Sequence, residues 1–536
     1  MKKVLILMLL GLLTCPLSIF AQDVSGHASQ HRCGTSIDAQ QIAFRDMVEL
    51  RNRYPNFAAP RAIAYVPVWF HMVAASNGVG RTTEASIAEM LCEWNRLYTA
   101  NGIELQFYIK GFSKIDLDAL YNGPQSFAGT NRMITTKKTD AMNVYLVNNC
   151  GNGSEPPGQI ILAYYSNRST SFDAEYANDW IVCANSQVNM GGASTIAHEA
   201  GHMFTLPHTF YGWEEAPNGF VATAASPCAP ASVNYNGRVV TVEKVARTGT
   251  SKNCDFAADG FCDTPEDYLF GFGSGTQGCT WSGIAKDPDC VAVNPDETNI
   301  MSYFGSGCTT KFSAEQKGAI MTNYSNHPKR AYLRAGNITP PLTAALPTLI
   351  TPVANAVTTF SNNVSLDWSD VPNAFGYNVE VSKFSSFAQS KAFYTTTSDF
   401  NVNALNTGGY MLGSTRYYWK VRAVVPFNNC SNTASGIFTT GTLNAVQEIA
   451  GVTQFTASPN PLSKTEDLVL QMNNEVAFDA TVKMVNVTGQ VIKSEKRSFE
   501  AGYSTQNFTV SDLATGTYIL HIQSEKGVLN KRIIVQ

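Results

Sequence analysis

One eleven-residue stretch restricts what this chain can fold into more than any other part of its 536 residues. It runs from His198 to His208 and begins with the pattern H-E-x-x-H. On a helix, residues four apart share a face, so His198 and His202 point the same way about one turn apart. Two neutral imidazoles at this spacing can bind one Zn²⁺, and Glu199 beside them can take a proton from a water on that metal. The stretch therefore predicts a helix that carries a catalytic zinc site.

His208 is the candidate third ligand, six residues beyond His202. The chain must leave the helix and turn back to bring this imidazole to the metal. The turn falls at Thr205, and a β-branched residue is strained at positive φ, so either Thr205 is strained or the turn is built differently. Pro207 favours an extended Leu206, so we expect the helix to end near Thr205.

A short stretch far along the chain, N-I-M-S-Y at residues 299–303, supports the same site. Together with the three histidines it resembles the metzincin zinc proteases. In that group a tight turn places a Met beneath the metal, and a Tyr two residues later approaches the metal. The resemblance implies these roles for Met301 and for Tyr303 as a catalytic residue. Metzincins have Gly at the position of Thr205, which is the main departure.

Two further stretches make the resemblance specific to one family. They are H-T-F at residues 208–210 and D-G-F-C-D-T-P at residues 259–265. With N-x-M-x-Y in the same order, residues 61 to 330 resemble a pappalysin-family metalloprotease of the secreted bacterial type. This implies a mixed sheet above the zinc helix, with an edge strand that binds the substrate backbone in extended form. Either residues 159–165 or residues 180–183 could supply that strand.

Glu214 and Glu215 are the alternative third ligands, on the plan of thermolysin-like enzymes. We favour His208, because a catalytic zinc has three protein ligands and a Met-turn candidate lies downstream. Some relatives cut before basic residues through an acid shortly after that turn. Residues 304–307 read F-G-S-G and offer no acid, so we expect no strong basic preference.

The N-terminus predicts export. Residues 1–21 have the pattern of a signal peptide, with Lys2 and Lys3 ahead of an apolar run. Export permits disulfides. The chain has 12 Cys, and an odd number remains once Cys15 leaves with the signal, so at least one lacks an internal partner.

Cys33 is the best candidate for that thiol, because it lies in a polar segment ahead of the first strand. Related zymogens carry a similar R-x-C-G-T stretch whose Cys occupies the open position of the zinc. The resemblance thus implies that Cys33 is a latency switch within a pro-segment of residues 22–60. A pro-segment Cys that is merely free or disulfide-bonded is the alternative.

Residues 212–300 are rich in Gly, Asp, Asn and Pro and predict an irregular region stapled by disulfides. Sequence does not fix the connectivity. The family resemblance implies the pairs Cys254–Cys290 and Cys279–Cys308. Six acids of the region are candidate ligands for a structural Ca²⁺, with solvated loop acids as the alternative: Asp255, Asp259, Asp263, Asp267, Asp296 and Glu297.

Beyond the prolines at 340 and 341 the pattern changes to alternating strands. Residues 339–445 resemble a fibronectin type III sandwich with Trp368 as its core Trp. Residues 446–536 resemble the C-terminal sorting domain of the type IX secretion system of Bacteroidetes. A second adhesive sandwich retained at the surface is the alternative for this last segment.

We therefore expect a multidomain protein, with an α+β metzincin-like catalytic domain at residues 61–338 followed by two β-sandwich domains. The expected function is a secreted or cell-surface zinc endopeptidase of a Gram-negative, Bacteroidetes-like bacterium. Its partners would be protein or peptide substrates and the outer-membrane secretion machinery. An inactive metalloprotease-like adhesin or binding protein is the alternative. The net charge of −4 gives no reason to expect nucleic acid, and after the signal no segment is apolar enough to span a bilayer.

Overall fold

The computed structural model describes most of the chain from residue 30 to residue 536. The described ranges are 30–55, 63–151, 159–168, 175–214, 226–235, 237–268, 279–281, 283–304, 307–335, 346–403, 411–427, 429–430, 433–442, 449, 451–525 and 527–536. The signal-peptide prediction lies outside them. The protein is multidomain and rich in β-strand, and it divides into two compact units between Pro340 and Pro341.

A six-stranded mixed sheet spans the first unit. Its strands are β1 (Gln30–Cys33), β2 (Ala64–Ala74), β3 (Leu105–Asp116), β4 (Met142–Val147), β5 (Gln159–Arg168) and β6 (Glu175–Ala184). Their order across the sheet is β1-β5-β6-β4-β2-β3. Only the β5–β6 pair is antiparallel. Without β1, β5 would be the edge strand, so residues 159–165 fit the predicted edge and residues 180–183 lie in an inner strand.

The described residues of this unit form seven α-helices, most of which contact the sheet. They are α1 (Ile37–Arg53), α2 (Glu84–Ala100), α3 (Asp118–Tyr121), α4 (Phe127–Thr136), α5 (Ala193–Met203), α6 (Ala314–Asn326) and α7 (Ala331–Arg334). Thr83 caps α2 by accepting from the Ser86 N–H, and Ser313 and Gln316 form a capping box at the start of α6. These capping hydrogen bonds fix the residues at which the two helices begin.

Helix α5 carries the H-E-x-x-H motif and packs against α2 and β5. Its Ile196, Ala197 and Ala200 are fully buried, so apolar burial around the helix holds the motif in place. The helix is short because it ends at Met203, just before the turn at Thr205.

The irregular region holds only a small hairpin, β7 (Ser232–Tyr235) and β8 (Arg238–Thr241), and three disulfides among its described residues. Cys279 is joined to Cys308, the pair that the resemblance implied. The implied pair Cys254–Cys290 is wrong. Cys254 bonds to Cys262 across a tight loop, with Cα atoms 5.0 Å apart, and Cys290 bonds to Cys228 at the same Cα separation. Both distances suit a disulfide, and the pairing of Cys228 with Cys290, 62 residues apart, follows from the way the irregular region folds back on itself.

The second unit contains two β-sandwiches, each with its own buried core. The first has β9 (Leu349–Thr351), β10 (Ala356–Val357), β11 (Asn363–Trp368), β12 (Gly376–Ser382), β13 (Lys391–Thr395), β14 (Asp399–Asn403), β15 (Arg416–Val424) and β16 (Thr433–Thr439). The second has β17 (Val452–Ser458), β18 (Asp467–Asn474), β19 (Phe478–Asn486), β20 (Val491–Phe499), β21 (Gly502–Thr509), β22 (Gly516–Ser524) and β23 (Gly527–Val535). Trp368 is buried in the first core beside Trp419.

Each sandwich is built from two sheets. In the first, the order β10-β16-β15-β12-β13 faces β14-β11-β9. In the second, β17-β18-β21 faces β20-β19-β22-β23. None of the helices in the described ranges has the length and apolarity needed to cross a membrane.

Candidate active site

Three imidazoles converge at the C-terminal end of α5. The Nε2 atom of His202 lies 3.2 Å from that of His198 and 3.1 Å from that of His208. In a tetrahedral zinc site with Zn–N bonds of about 2.05 Å, ligand nitrogens are about 3.3 Å apart. The three nitrogens therefore fit a single zinc ion.

The other nitrogen of each ring faces an acceptor of the protein. The contacts are His198 Nδ1 with the Ile300 carbonyl at 2.6 Å, His202 Nδ1 with the Leu206 carbonyl at 2.7 Å, and His208 Nδ1 with Glu214 Oε1 at 3.2 Å. Each ring thus donates from Nδ1 and keeps the Nε2 lone pair for a metal, as metal-binding histidines do. Burial lowers all three pKa values, that of His198 to about 4, so the rings are neutral.

Glu214, an alternative third ligand, contacts the Nδ1 atom of His208, on the side of the ring away from the other two histidines. Its Oε1 atom faces His208 Nδ1, and its Oε2 atom accepts from the Gly212 N–H at 2.8 Å. The carboxylate therefore points at the outer nitrogen of the imidazole and not at the three Nε2 atoms. Glu215, the other alternative, lies outside the described residues.

The turn after α5 uses a left-handed residue. Thr205 has φ 82°, and the Leu206 N–H closes the turn on the Gly201 carbonyl at 2.9 Å. Thr205 is therefore strained, which decides a question that the sequence left open. Its hydroxyl donates to the Ala43 carbonyl in α1 at 2.7 Å.

Met301 lies against the motif helix. A Cβ on Gly201 would be 2.5 Å from Met301 Sδ, so Gly201 allows the buried Met to pack directly on α5. The Thr209 N–H donates to the Met301 carbonyl at 3.3 Å. The turn at Met301 thus contacts both the helix and the segment that carries His208.

Asp267 ties these two segments together, a contact that sequence reasoning missed. Its Oδ2 accepts from the hydroxyls of Thr209 and Ser302, each at 2.7 Å. Thr209 follows His208, and Ser302 follows Met301. Position 267 lies just after the D-T-P stretch, but nothing in the local pattern names its two distant partners.

The carboxylate of Glu199 lies beside the histidines in a buried setting. Its Oε2 accepts from Thr35 Oγ1 at 2.9 Å and from Cys33 Sγ at 3.4 Å. Its Oε1 is buried without a hydrogen-bond partner. Burial raises the pKa of Glu199 to about 7. A carboxylate so poised can exchange protons near neutral pH.

The segment at Cys33 covers this group. Cys33 Sγ and one ring nitrogen from each histidine all lie within 4.8 Å of one another. The Tyr303 hydroxyl accepts from the Cys33 N–H and contacts the Cys33 carbonyl, both at 3.0 Å. Thr35 Oγ1 accepts from the Tyr165 N–H of β5 at 2.9 Å. The segment at Cys33 therefore contacts Glu199, Tyr303 and strand β5 together.

The predicted acidic cluster is dispersed over the irregular region. Asp259 accepts from Thr264, Asp263 from Ser313, and Asp296 from Thr298. Glu297 accepts from the Trp281 N–H. Of the six predicted acids in the described ranges, no three bring carboxylates together as a metal-sized group.

Two curated relatives resemble part of the chain, and both are named extracellular metalloprotease. One, from Colletotrichum graminicola, is 25% identical over 182 residues, covering 32% of this chain and 62% of that protein. The other, from Sordaria macrospora, is 25% identical over 326 residues, covering 56% of this chain and 90% of that protein. The chain thus spans less than two thirds of the first relative's length.

The C-terminal segment matches a described family. Residues 457–536 match the secretion system C-terminal sorting domain. This domain indicates secretion by the type IX system of Bacteroidetes, and so an extracellular or cell-surface location. It also implies interaction with that machinery.

Solved structures of fibronectin type III modules are neighbours of this chain at low scores. The chicken CNTN1 FN1-FN3 domains share 13% identity, cover 36% of this chain and 66% of theirs, and have a TM-score of 0.15. An Fn3-like protein from Clostridium thermocellum shares 24% identity, covers 19% of this chain and 98% of its own, and has a TM-score of 0.14. Scores this low do not establish a shared fold.

Proposed function

We propose that this chain is a secreted zinc metalloendopeptidase of the metzincin, pappalysin-like type, made as a latent precursor. The observation that carries the proposal is the convergence of three histidine Nε2 atoms beside the buried carboxylate of Glu199. The similarity to extracellular metalloproteases supports a metalloprotease-like activity, and the sorting domain supports export.

His198, His202 and His208 would hold the zinc, and Glu214 and the two backbone carbonyls would fix their rings. When bound, zinc supplies Lewis acidity that polarises the scissile carbonyl and makes a water more acidic. Met301 would remain buried against Gly201 of α5 as packing. Because Glu199 is no ligand here, its carboxylate remains free for proton transfer.

Glu199 acts as the general base in this proposal. It accepts a proton from the attacking water and later passes that proton to the leaving amine. In the covered precursor, burial raises the pKa of this carboxyl to about 7, so the group already lies in a range where it can take up and release a proton. Tyr303, once released from the Cys33 backbone, donates its hydroxyl hydrogen to the negative oxygen that develops on the substrate.

Cys33 is the proposed latency switch. Its sulfur lies with the three ring nitrogens and would be the fourth ligand of the metal. The backbone of Cys33 also hydrogen-bonds to the Tyr303 hydroxyl. Removal of the segment would therefore free Glu199 and Tyr303 at once.

Extended segments of extracellular proteins or peptides are the proposed substrates. With β1 removed, β5 offers unpaired backbone groups that an extended peptide can bind. Tyr165, whose N–H now bonds Thr35, lies on that strand.

The decisive experiment compares the wild-type protein with Glu199→Ala after pro-segment removal. Zinc content is expected to be equal, because Glu199 is not a ligand, and hydrolysis of a peptide library is expected to fall by about 10²–10⁴-fold. Near-normal hydrolysis in Glu199→Ala would refute the mechanism. A wild-type protein that holds zinc and cuts no peptide or casein would instead favour the inactive adhesin.

A further inference from the structure

Helix α1 follows Cys33 in the pro-segment and lies in a groove of the catalytic unit. The contacts of α1 are separate from those of the Cys33 thiol. The docked face of the helix is regular, since Ala39, Ala43, Met47 and Leu50 are buried at helical spacing. The opposite face, with Glu49 and Arg53, is exposed. An amphipathic helix in a groove is a recurring form of peptide recognition.

The inner end of the groove is the strained turn and the segment that carries His208. Thr205 Oγ1 donates to the Ala43 carbonyl at 2.7 Å, and the His208 N–H donates to Gln40 Oε1 at 3.3 Å. Phe44 stacks on Tyr211 with ring centroids 6.0 Å apart. These contacts use backbone and ring surfaces and leave the three Nε2 atoms alone.

Charged and aromatic groups bind the outer end. Arg51 lies over the Phe261 ring at 5.3 Å and 3.9 Å from Glu315. Asp46 lies 3.3 Å from His327 Nε2, by its Oδ2 atom.

The floor of the groove is shaped for a close approach of α1. Gly260 has φ +78°, and a Cβ there would lie 2.7 Å from Met47 Cε and 2.9 Å from a ring carbon of Phe44. Glycine therefore provides both the backbone conformation and the space for the helix. The D-G-F-C-D-T-P stretch thus contributes to the floor of the groove.

We propose that this groove is a binding site for an amphipathic helix, with α1 as its occupant, and that it holds the pro-segment independently of the Cys33 thiol. It explains why a Thr stands at a strained position, since Gly would lack the hydroxyl that α1 accepts from. The idea that the groove restrains activation rests on the proposed function. The idea that the groove binds α1 does not depend on that function.

Hydrogen exchange of the α1 amides in the full-length precursor tests the proposal. A free helix of this length is marginal in water, so protection of these amides reports docking. Cys33→Ser is expected to leave protection within about threefold of wild type. Phe44→Ala is expected to lower it at least tenfold and Thr205→Val, which loses one hydrogen bond, about fivefold, while the exposed control Asn52→Gln leaves it unchanged.

Loss of α1 protection in Cys33→Ser would overturn the proposal, because the thiol would then be what holds the segment. Unchanged protection in Phe44→Ala and Thr205→Val would also overturn it. Near-UV circular dichroism identifies any variant that has lost its fold, and Phe44→Leu then replaces Phe44→Ala. The exchange measurement needs no catalysis, so a protein without peptidase activity tests the groove equally well.

Discussion

Thr205 offers a prediction whose size can be worked out from its contacts. A β-branched residue at φ 82° carries roughly 1–3 kcal/mol of strain. Thr205→Gly removes that strain, but Gly costs about 0.5–1 kcal/mol more chain entropy on folding. In the precursor it also loses the hydroxyl bond to Ala43, which contributes about 1 kcal/mol.

These effects separate when the precursor and the processed protein are compared. We expect Thr205→Gly to change precursor stability little, because the relief of strain is offset by the two losses. Once α1 has been removed, the hydrogen bond from the Thr205 hydroxyl to Ala43 is absent in the wild type as well as in the variant. Thr205→Gly should then stabilise the processed protein by about 1 kcal/mol relative to its effect on the precursor.

Thr205→Val is the matched control, because it keeps the branched shape and the strain and removes only the hydroxyl. It should destabilise the precursor by about 1 kcal/mol and leave the processed protein nearly unchanged. Differential scanning calorimetry of both forms measures each effect. If Val and Thr give equal precursor stability, the bond to α1 contributes nothing and the reasoning fails.

Three further predictions follow from the described residues. His208→Ala should abolish tight zinc binding by metal analysis, whereas Glu214→Gln, which keeps an acceptor for His208 Nδ1, should weaken it by no more than about 10–100-fold; a full zinc complement in His208→Ala would end the metzincin assignment. His71 is buried with an unpartnered Nδ1, and burial lowers its pKa from 6.5 to about 4. The unfolded chain therefore takes up a proton first, and His71 makes stability fall by up to about 1.4 kcal/mol per pH unit as pH drops from 6.5 towards 4. His71→Phe, which can still stack on Tyr145, should lower the slope measured in urea titrations by up to that amount, and an unchanged slope would contradict the assignment. Deleting residues 446–536 should leave the enzyme in the periplasm of its host while recombinant hydrolysis persists, and normal secretion of the truncated chain would argue against a sorting role.

Local patterns predicted the elements that local forces form. Helix α5 and its two histidines follow from spacing and burial. The end of α5 was placed near Thr205, and the structure ends it at Met203. Apolar periodicity and capping residues act over a few residues, so a single sequence reveals them.

Contacts between residues far apart in sequence could not be predicted from such local patterns. The partners of Cys254 and Cys290 depend on how an irregular loop folds back, which no periodicity records. Glu214 was considered as a ligand because carboxylates bind zinc, but its position behind His208 is set by the turn at Gly212. The partner of Thr205 lies 162 residues away in α1, a separation at which residue types alone name no contact.

The bond between His198 Nδ1 and the Ile300 carbonyl joins residues 102 apart in sequence. Closing a loop of that length costs entropy, so we expect this contact to form after most of the local structure. A nascent chain with a complete α5 would still lack the acceptor that orients its first imidazole. High metal affinity should therefore arise only when the irregular region has been threaded into place, and zinc uptake would then serve as a quality check on the assembled fold.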